Sequence, residues 1–157
     1  MLALMSAGQQ AFMGIPNLDE VEALELLEDD KRNLALRAIR NDETSLLSLG
    51  GGLKAKNPSG RWTVYEHILY GSSNSSWEMD PWISTTRSPL VAATFEAERK
   101  SGIVVVDLDK LKNTGVREVW IEEPWSKAAL AYGFQQEVSI RGHVPMDAII
   151  GYVPHMG

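Results

Sequence analysis

Near the C-terminal end of a 157-residue chain, Phe134-Gln135-Gln136-Glu137-Val138-Ser139-Ile140 sets an acid among residues of strand type. Side chains alternate across a strand, so Phe134, Val138 and Ile140 fall on one face, interrupted by Gln136, and Gln135, Glu137 and Ser139 on the other. A polar row needs water, a cleft or partners. Taken alone it fits the solvent side of an edge strand. A second polar group, Ser84-Thr85-Thr86, ends another β-prone stretch. Its hydroxyls suit turns and caps, and a hydroxyl on one strand can also orient a carboxylate on its neighbour. Lys54, Lys56 and Arg61 form a small basic group in an acidic chain, able to solubilise or to cradle a pyrophosphate.

Elements must hold these residues. Asn17 as cap with Glu20 three residues on predicts a first helix, with Leu18, Val21, Leu24 and Leu27 at helical spacing. A second helix is expected over Lys31 to Arg40, with Leu34, Leu36 and Ile39 apolar, ended by Asn41-Asp42. The first is acidic and the second basic, so the two read as a solvated hairpin resting on the main body. Gly50-Gly51-Gly52 breaks that pattern. Residues 1–49 are therefore expected to be a helical segment packed on the same domain, and 50–157 the main α+β body.

Within that body, Leu53 to Lys56 is a short strand stopped by Asn57-Pro58. Thr63 to Tyr70 is a helix carrying His67, and Gly71 to Ser76 a polar loop. Trp82 to Thr86 is a strand. Ser88-Pro89 then opens a helix to about Lys100, with Val91, Ala92 and Phe95 inward and Gly102 beyond its end. Ile103 to Leu108 is a continuous apolar run, the mark of a strand buried on both faces. Pro124 opens a short helix with Ala128, Leu130 and Ala131, closed by Gly133. Phe134 to Ile140 and Ala148 to Val153 complete the strands. Strands and helices mix without regular βαβ alternation, which points to α+β.

Composition narrows the function classes. Hydrophobic residues make up 44% and charged residues 23%, an ordinary globular mix for one domain. No apolar run approaches a membrane span, so no membrane insertion is expected. Met1 to Pro16 lacks the basic start and long apolar stretch of a signal peptide, and a module cut from a longer protein would look the same. Without cysteine there is no disulfide, thiolate metal site or thiol nucleophile. A net charge of −6 argues against broad nucleic-acid binding but leaves room for a local anion site. His67, His143 and His155 are far apart, without helical metal-ligand spacing, so no metal is expected.

The order of a basic strand, a Ser-Thr-Thr triplet and a Gln-x-Glu resembles the ADP-ribosyltransferase superfamily. The phrases Ala55-Lys56-Asn57-Pro58, Glu66-His67-Ile68-Leu69-Tyr70-Gly71-Ser72, Ile83-Ser84-Thr85-Thr86 and Glu137-Val138 through Met146 resemble the C-terminal toxin modules of Rhs and other polymorphic toxins, over roughly residues 50–153. The resemblance implies split, mostly antiparallel sheets with NAD, the substrate, in the cleft between them. It matches Glu137 to the catalytic glutamate and Ser84 to the serine supporting it and the nicotinamide ribose. Thr85 and Thr86 complete the triplet, and Gln135 takes the place two before the glutamate. A glutamine there resembles enzymes that modify amides or nucleobases rather than arginine.

The first-motif arginine is missing as such, so Lys54 and Lys56 both stand as replacements. His67 matches a position shared by the toxin modules and either binds NAD or satisfies the local backbone. Phe95, Tyr70 and Trp82 are available to stack on nicotinamide, with Phe95 favoured. The function implied is an NAD-dependent mono-ADP-ribosyltransferase, a glycosyltransferase effector of bacterial competition. It would be secreted or delivered into the cytoplasm of a target cell to modify a protein or RNA, and a cognate immunity protein would block its cleft. An NAD glycohydrolase on the same site and an inactive binding module of the same fold are the alternatives.

Overall fold

A computed structural model describes residues 11–12, 14–116, 118–126, 129–130 and 133–156. It is α+β, and every strand pairing within its sheets is antiparallel. Helix α1 (Glu20–Glu28) is followed by β1 (Leu34–Ala38), α2 (Thr44–Ser48) and β2 (Leu53–Lys54). Next come α3 (Val64–Tyr70), α4 (Ser76–Met79), β3 (Trp82–Thr86) and α5 (Pro89–Arg99). The chain continues through β4 (Ile103–Asp107), α6 (Leu108–Asn113), β5 (Val119–Ile121), β6 (Glu137–Arg141), β7 (His143–Val144) and β8 (Ile149–Val153). Six strands form one sheet in the order β5-β6-β3-β1-β4-β8, and β2 pairs with β7 in a second.

The expected second helix is instead strand β1, in the interior of the large sheet. Its side chains alternate: Leu34 and Leu36 pack with α5 and α1 residues on one face, while Ala35, with Ile39 just beyond the strand, joins the main core on the other. Leu34 and Leu36 stand two apart, a strand spacing, and every residue of the strand is buried. A helix would have turned part of that run to solvent. Residues 34–38 therefore share a sheet with 82–86 and 103–107 rather than forming half of a helical hairpin.

Helix α1 forms, but Asp19 caps it in place of Asn17: Asp19 accepts from Glu22 N–H at 2.8 Å and Glu22 returns the bond to Asp19 N–H at 3.1 Å. Its buried side is Ala23, Leu26 and Leu27, whereas Val21 is 63% exposed. Serine-capped α5 begins with Pro89 as expected and buries Ala92 against β1. On β4, Val104 and Val106 face one core and Val105 the other, as a doubly covered strand requires. Leu108 leaves that strand to start α6, capped by Asp107.

The smaller sheet needs a glycine. Gly52 has φ +74°, and a side chain there would overlap the Val144 carbonyl of the paired strand. Ala128 and Ala131 of the expected short helix lie outside the described residues, and Leu130 is 72% exposed. Among the described residues, no helix is long and apolar enough to cross a membrane.

Candidate active site

Strands β3 and β6 pair with Ser84 opposite Ser139 and Thr86 opposite Glu137. That register brings both serine hydroxyls to one carboxylate oxygen. Ser84 Oγ donates to Glu137 Oε2 at 3.3 Å, and Ser139 Oγ donates to the same oxygen. His67, on α3, brings Nε2 to 3.2 Å from Oε2 and to 2.7 Å from Ser84 Oγ. Among the described residues Oε1 takes no hydrogen bond. One oxygen of Glu137 is thus held by the protein while the other stays available, at a carboxylate only part-buried.

His67 is held from behind as well. Its Nδ1 lies 2.6 Å from Asp80 Oδ2, and Asp80 Oδ1 accepts from Trp82 N–H at 2.9 Å. Burial opposes a charge on the imidazole, but the hydrogen bonds to Asp80 and Glu137 outweigh it and push its pKa up to about 9. His67 is therefore protonated at neutral pH and donates from both nitrogens.

These groups open on a cleft of about 440 Å³. Its lining includes Lys54, Lys56, His67, Ser84, Thr85, Thr86, Phe95, Gln135 and Glu137. The structure separates their duties. Thr85 Oγ1 donates across the sheet to Val138 O at 2.6 Å, and Thr86 Oγ1 to Gln135 O at 2.7 Å, so both hydroxyls pin backbone. Lys56 Nζ is engaged by Gly71 O at 2.8 Å and Ser76 Oγ at 2.7 Å, and burial lowers its pKa. The Lys54 side chain makes no hydrogen bond or ion pair among the described residues. Of the aromatics, Phe95 is 39% exposed beneath the Arg99 guanidinium. Trp82 also lines the cleft, whereas Tyr70 does not and instead leans on Trp62. Arg61 is also absent from the lining.

The polar strand does not run as the sequence suggests. Strand β6 begins only at Glu137, because Gln136 is left-handed with φ 53°. Phe134 is consequently 47% exposed instead of packed in the core, while Val138 and Ile140 are fully buried. The kink is held by Glu122, a buried carboxylate whose Oε1 accepts from Gln135 N–H at 2.9 Å and Glu137 N–H at 3.2 Å. Backbone N–H groups flanking a left-handed residue form a concave anion seat. Here the seat is filled by the protein's own carboxylate, which fixes where Gln135 and Glu137 project.

Three residues of this site escape a sequence reading: Arg37, Asp80 and Glu122. Arg37 forks onto Glu43 with both Nη2 contacts at 3.0 Å and donates from Nη1 to Ser84 O at 2.8 Å. It lines the cleft although only 5% exposed. An arginine inside an otherwise apolar run is buried only when paired, but the run is also good helix material and left that burial open. Asp80 stands immediately before Pro81 and the serine strand, a placement that marks a turn but names no partner.

Chemically, the arrangement offers a fixed carboxylate with one open oxygen, cations at the cleft wall, and an imidazolium beside a serine. Among the described residues, no group of His, Asp and Glu side chains is arranged to hold a metal ion. No protein-family model and no curated protein sequence matches the chain. A solved structure named EcPltA is similar, with a TM-score of 0.51 and 11% identity over 76% of this chain and 74% of that one. At that identity the likeness concerns the fold alone.

Proposed function

We propose that the cleft binds NAD and that the protein is a mono-ADP-ribosyltransferase, the toxin domain of a polymorphic effector with split sheets of the ADP-ribosyltransferase kind. The observation that carries the reading is Glu137, which lines the cleft with Oε2 held by Ser84, Ser139 and His67 and Oε1 without a hydrogen bond among the described residues. Loss of nicotinamide builds positive charge on the ribose, as in glycoside cleavage. A fixed carboxylate beside that sugar stabilises the charge where it develops and needs no reorganisation to do so. Glu137 Oε1 would accept from a ribose hydroxyl, Lys54 would meet the pyrophosphate, and Phe95 would offer a face to nicotinamide.

Arg37 supports the reading. The missing first-motif arginine kept an inactive binding module open as an alternative, and Arg37 supplies a guanidinium bonded to the serine strand itself. A different class of reading rests on Ser84, His67 and Asp80, which are spaced like a hydrolytic serine triad. That chemistry requires a neutral imidazole to take the serine proton. Glu137 against Nε2 keeps His67 charged, so the base is already occupied.

The target would be a protein or RNA in the cytoplasm of a recipient cell, with an immunity protein that plugs the cleft in the producer. The test incubates the protein with NAD labelled on the adenylate in a bacterial lysate. Label on a macromolecule supports the transferase, and label only on free ADP-ribose makes it a glycohydrolase. Intact NAD, together with labelling of Ser84 by a fluorophosphonate, would overturn the reading in favour of a hydrolase.

A further inference from the structure

We infer that Asp80 is a positioning residue for this site: through His67 Nδ1 it aims Nε2 at Glu137 Oε2, which confines the protein's hold on Glu137 to one oxygen and leaves Oε1 to the substrate. The inference rests on the reading of the cleft given above for its kinetic part, and on the geometry alone for the rest.

Asp80 is 2% exposed, and a carboxylate so buried is costly unless fully paired. Both of its oxygens are used, one by Trp82 N–H and one by His67. Its backbone is fixed on both sides, with its N–H donating to Ser76 O at 3.0 Å and its carbonyl accepting from Asn57 N–H at 3.0 Å. Asp80 thus sits at the root of the strand that carries Ser84, and the distance from Asp80 to Ser84 is set by β3. His67 spans that gap. Gly71 lies against the same pair: a Cβ there would overlap the His67 carbonyl at 2.5 Å and come within 3.6 Å of both His67 Nδ1 and Asp80 Oδ2.

The charges around the imidazole favour this orientation. Asp80 faces it from the segment before β3, and Glu137, with the Ser139 hydroxyl, faces it from β6. Ser84 adds a hydroxyl from β3. The nearby cations do not touch it: Lys56 binds the Gly71 carbonyl, and Arg37 binds Glu43 and Ser84 O. Two carboxylates therefore grip one imidazolium from opposite ends. Without the rear carboxylate the ring would lose one of the two groups that hold its charge and its only anchor at Nδ1 among the described residues, freeing it to turn and Glu137 Oε2 to follow.

The test compares wild type with Asp80→Asn and Asp80→Glu by NMR titration of His67 and by NAD turnover against pH. We expect His67 to titrate near 9 in wild type and at least one pH unit lower in Asp80→Asn. The alkaline limb of turnover should move the same way. The kcat of Asp80→Asn should fall about tenfold with KM for NAD within twofold, since Asp80 does not touch the substrate, and Asp80→Glu should recover part of the loss. An unchanged His67 titration in Asp80→Asn, or a shifted titration with unchanged kcat and pH profile, overturns the inference. If neither variant folds, the ring nitrogens of wild-type His67 decide: both protonated at pH 7.5 by 15N shifts is the expected result, and a neutral ring overturns it. Wild type that leaves NAD intact would sink the reading of the cleft, while the titration would still decide whether Asp80 holds His67.

Discussion

Arg37 Nη1 donates to the backbone carbonyl of Ser84 across 2.8 Å, joining the buried cation of β1 to the serine of β3. The same guanidinium forks onto Glu43, whose carboxylate also accepts from Arg40 N–H at 2.8 Å. The serine's position is therefore tied to an ion pair whose side chains are each about 5% exposed.

Arg37→Ala strips the buried Glu43 carboxylate of its forked partner and leaves it the Arg40 N–H at 2.8 Å and the Arg40 guanidinium at 3.8 Å. Breaking such a pair costs roughly 3–5 kcal/mol. Urea unfolding should show a loss in that range, and Arg37→Lys should lose less stability but still slow NAD turnover, because an ammonium cannot fork. A loss under 1 kcal/mol in Arg37→Ala would show that the pair does not anchor β3.

The two lysines should part company. Lys54 is unengaged and lines the cleft, so Lys54→Ala should weaken NAD binding about tenfold, the worth of one charge-assisted hydrogen bond. Lys56 is committed to Gly71 O and Ser76 Oγ, so Lys56→Ala should lower thermal stability more than it lowers affinity. Calorimetry and thermal melts on both variants check the division. Equal affinities for wild type and Lys54→Ala would move the pyrophosphate site elsewhere.

Stability should fall with rising pH through His67. Its pKa is raised from 6.5 to about 9 on folding, so its contribution is complete below 6.5 and is lost as pH climbs through 9. The full span is at most about 3 kcal/mol. Urea unfolding of wild type at pH 6 and pH 9.5, set against His67→Gln, should show the larger decline in wild type. Parallel declines in the two proteins would contradict a charged His67.

Gln135 should make this enzyme a poor modifier of arginine. A guanidinium stays protonated near neutral pH and needs a base before it can attack, and a glutamine cannot take that proton. Its side chain lines the cleft one residue from the kink that Glu122 holds. Mass spectrometry of a treated lysate should find ADP-ribose away from arginine, and Gln135→Glu should shift some of it there. Arginine as the main site in the native protein would show that Gln135 does not select the acceptor.

Much of the site was legible because strand alternation and helix caps are local. Glu137 and Ser139 share one face as the alternation rule requires, the resemblance had set Ser84 beside that glutamate, and Ser88-Pro89 marks α5. Strand β1 was not legible as a strand. Its Leu34-Ala35-Leu36 run is good helix material, and only burial on both faces makes it a strand. Without β1 nothing in the sequence sets Arg37 beside Ser84, which leaves Lys54 and Lys56 as the visible cations. The left-handed Gln136 was hidden for a related reason: its conformation depends on Glu122, 14 positions away, which no local pattern reports. The partners of His67 are likewise tertiary, since Asp80 and Glu137 meet it only through the fold.

The most direct measurement is nicotinamide release from NAD by wild type and by Glu137→Gln, with the fold of each checked by circular dichroism and melting temperature. The isostere keeps the hydrogen-bonding shape at Ser84 and Ser139 but removes the charge that would stabilise the ribosyl cation. Wild type should release nicotinamide, Glu137→Gln should fall roughly 100- to 1,000-fold, and Ser84→Ala should fall less. A folded Glu137→Gln that releases nicotinamide at the wild-type rate would contradict the account.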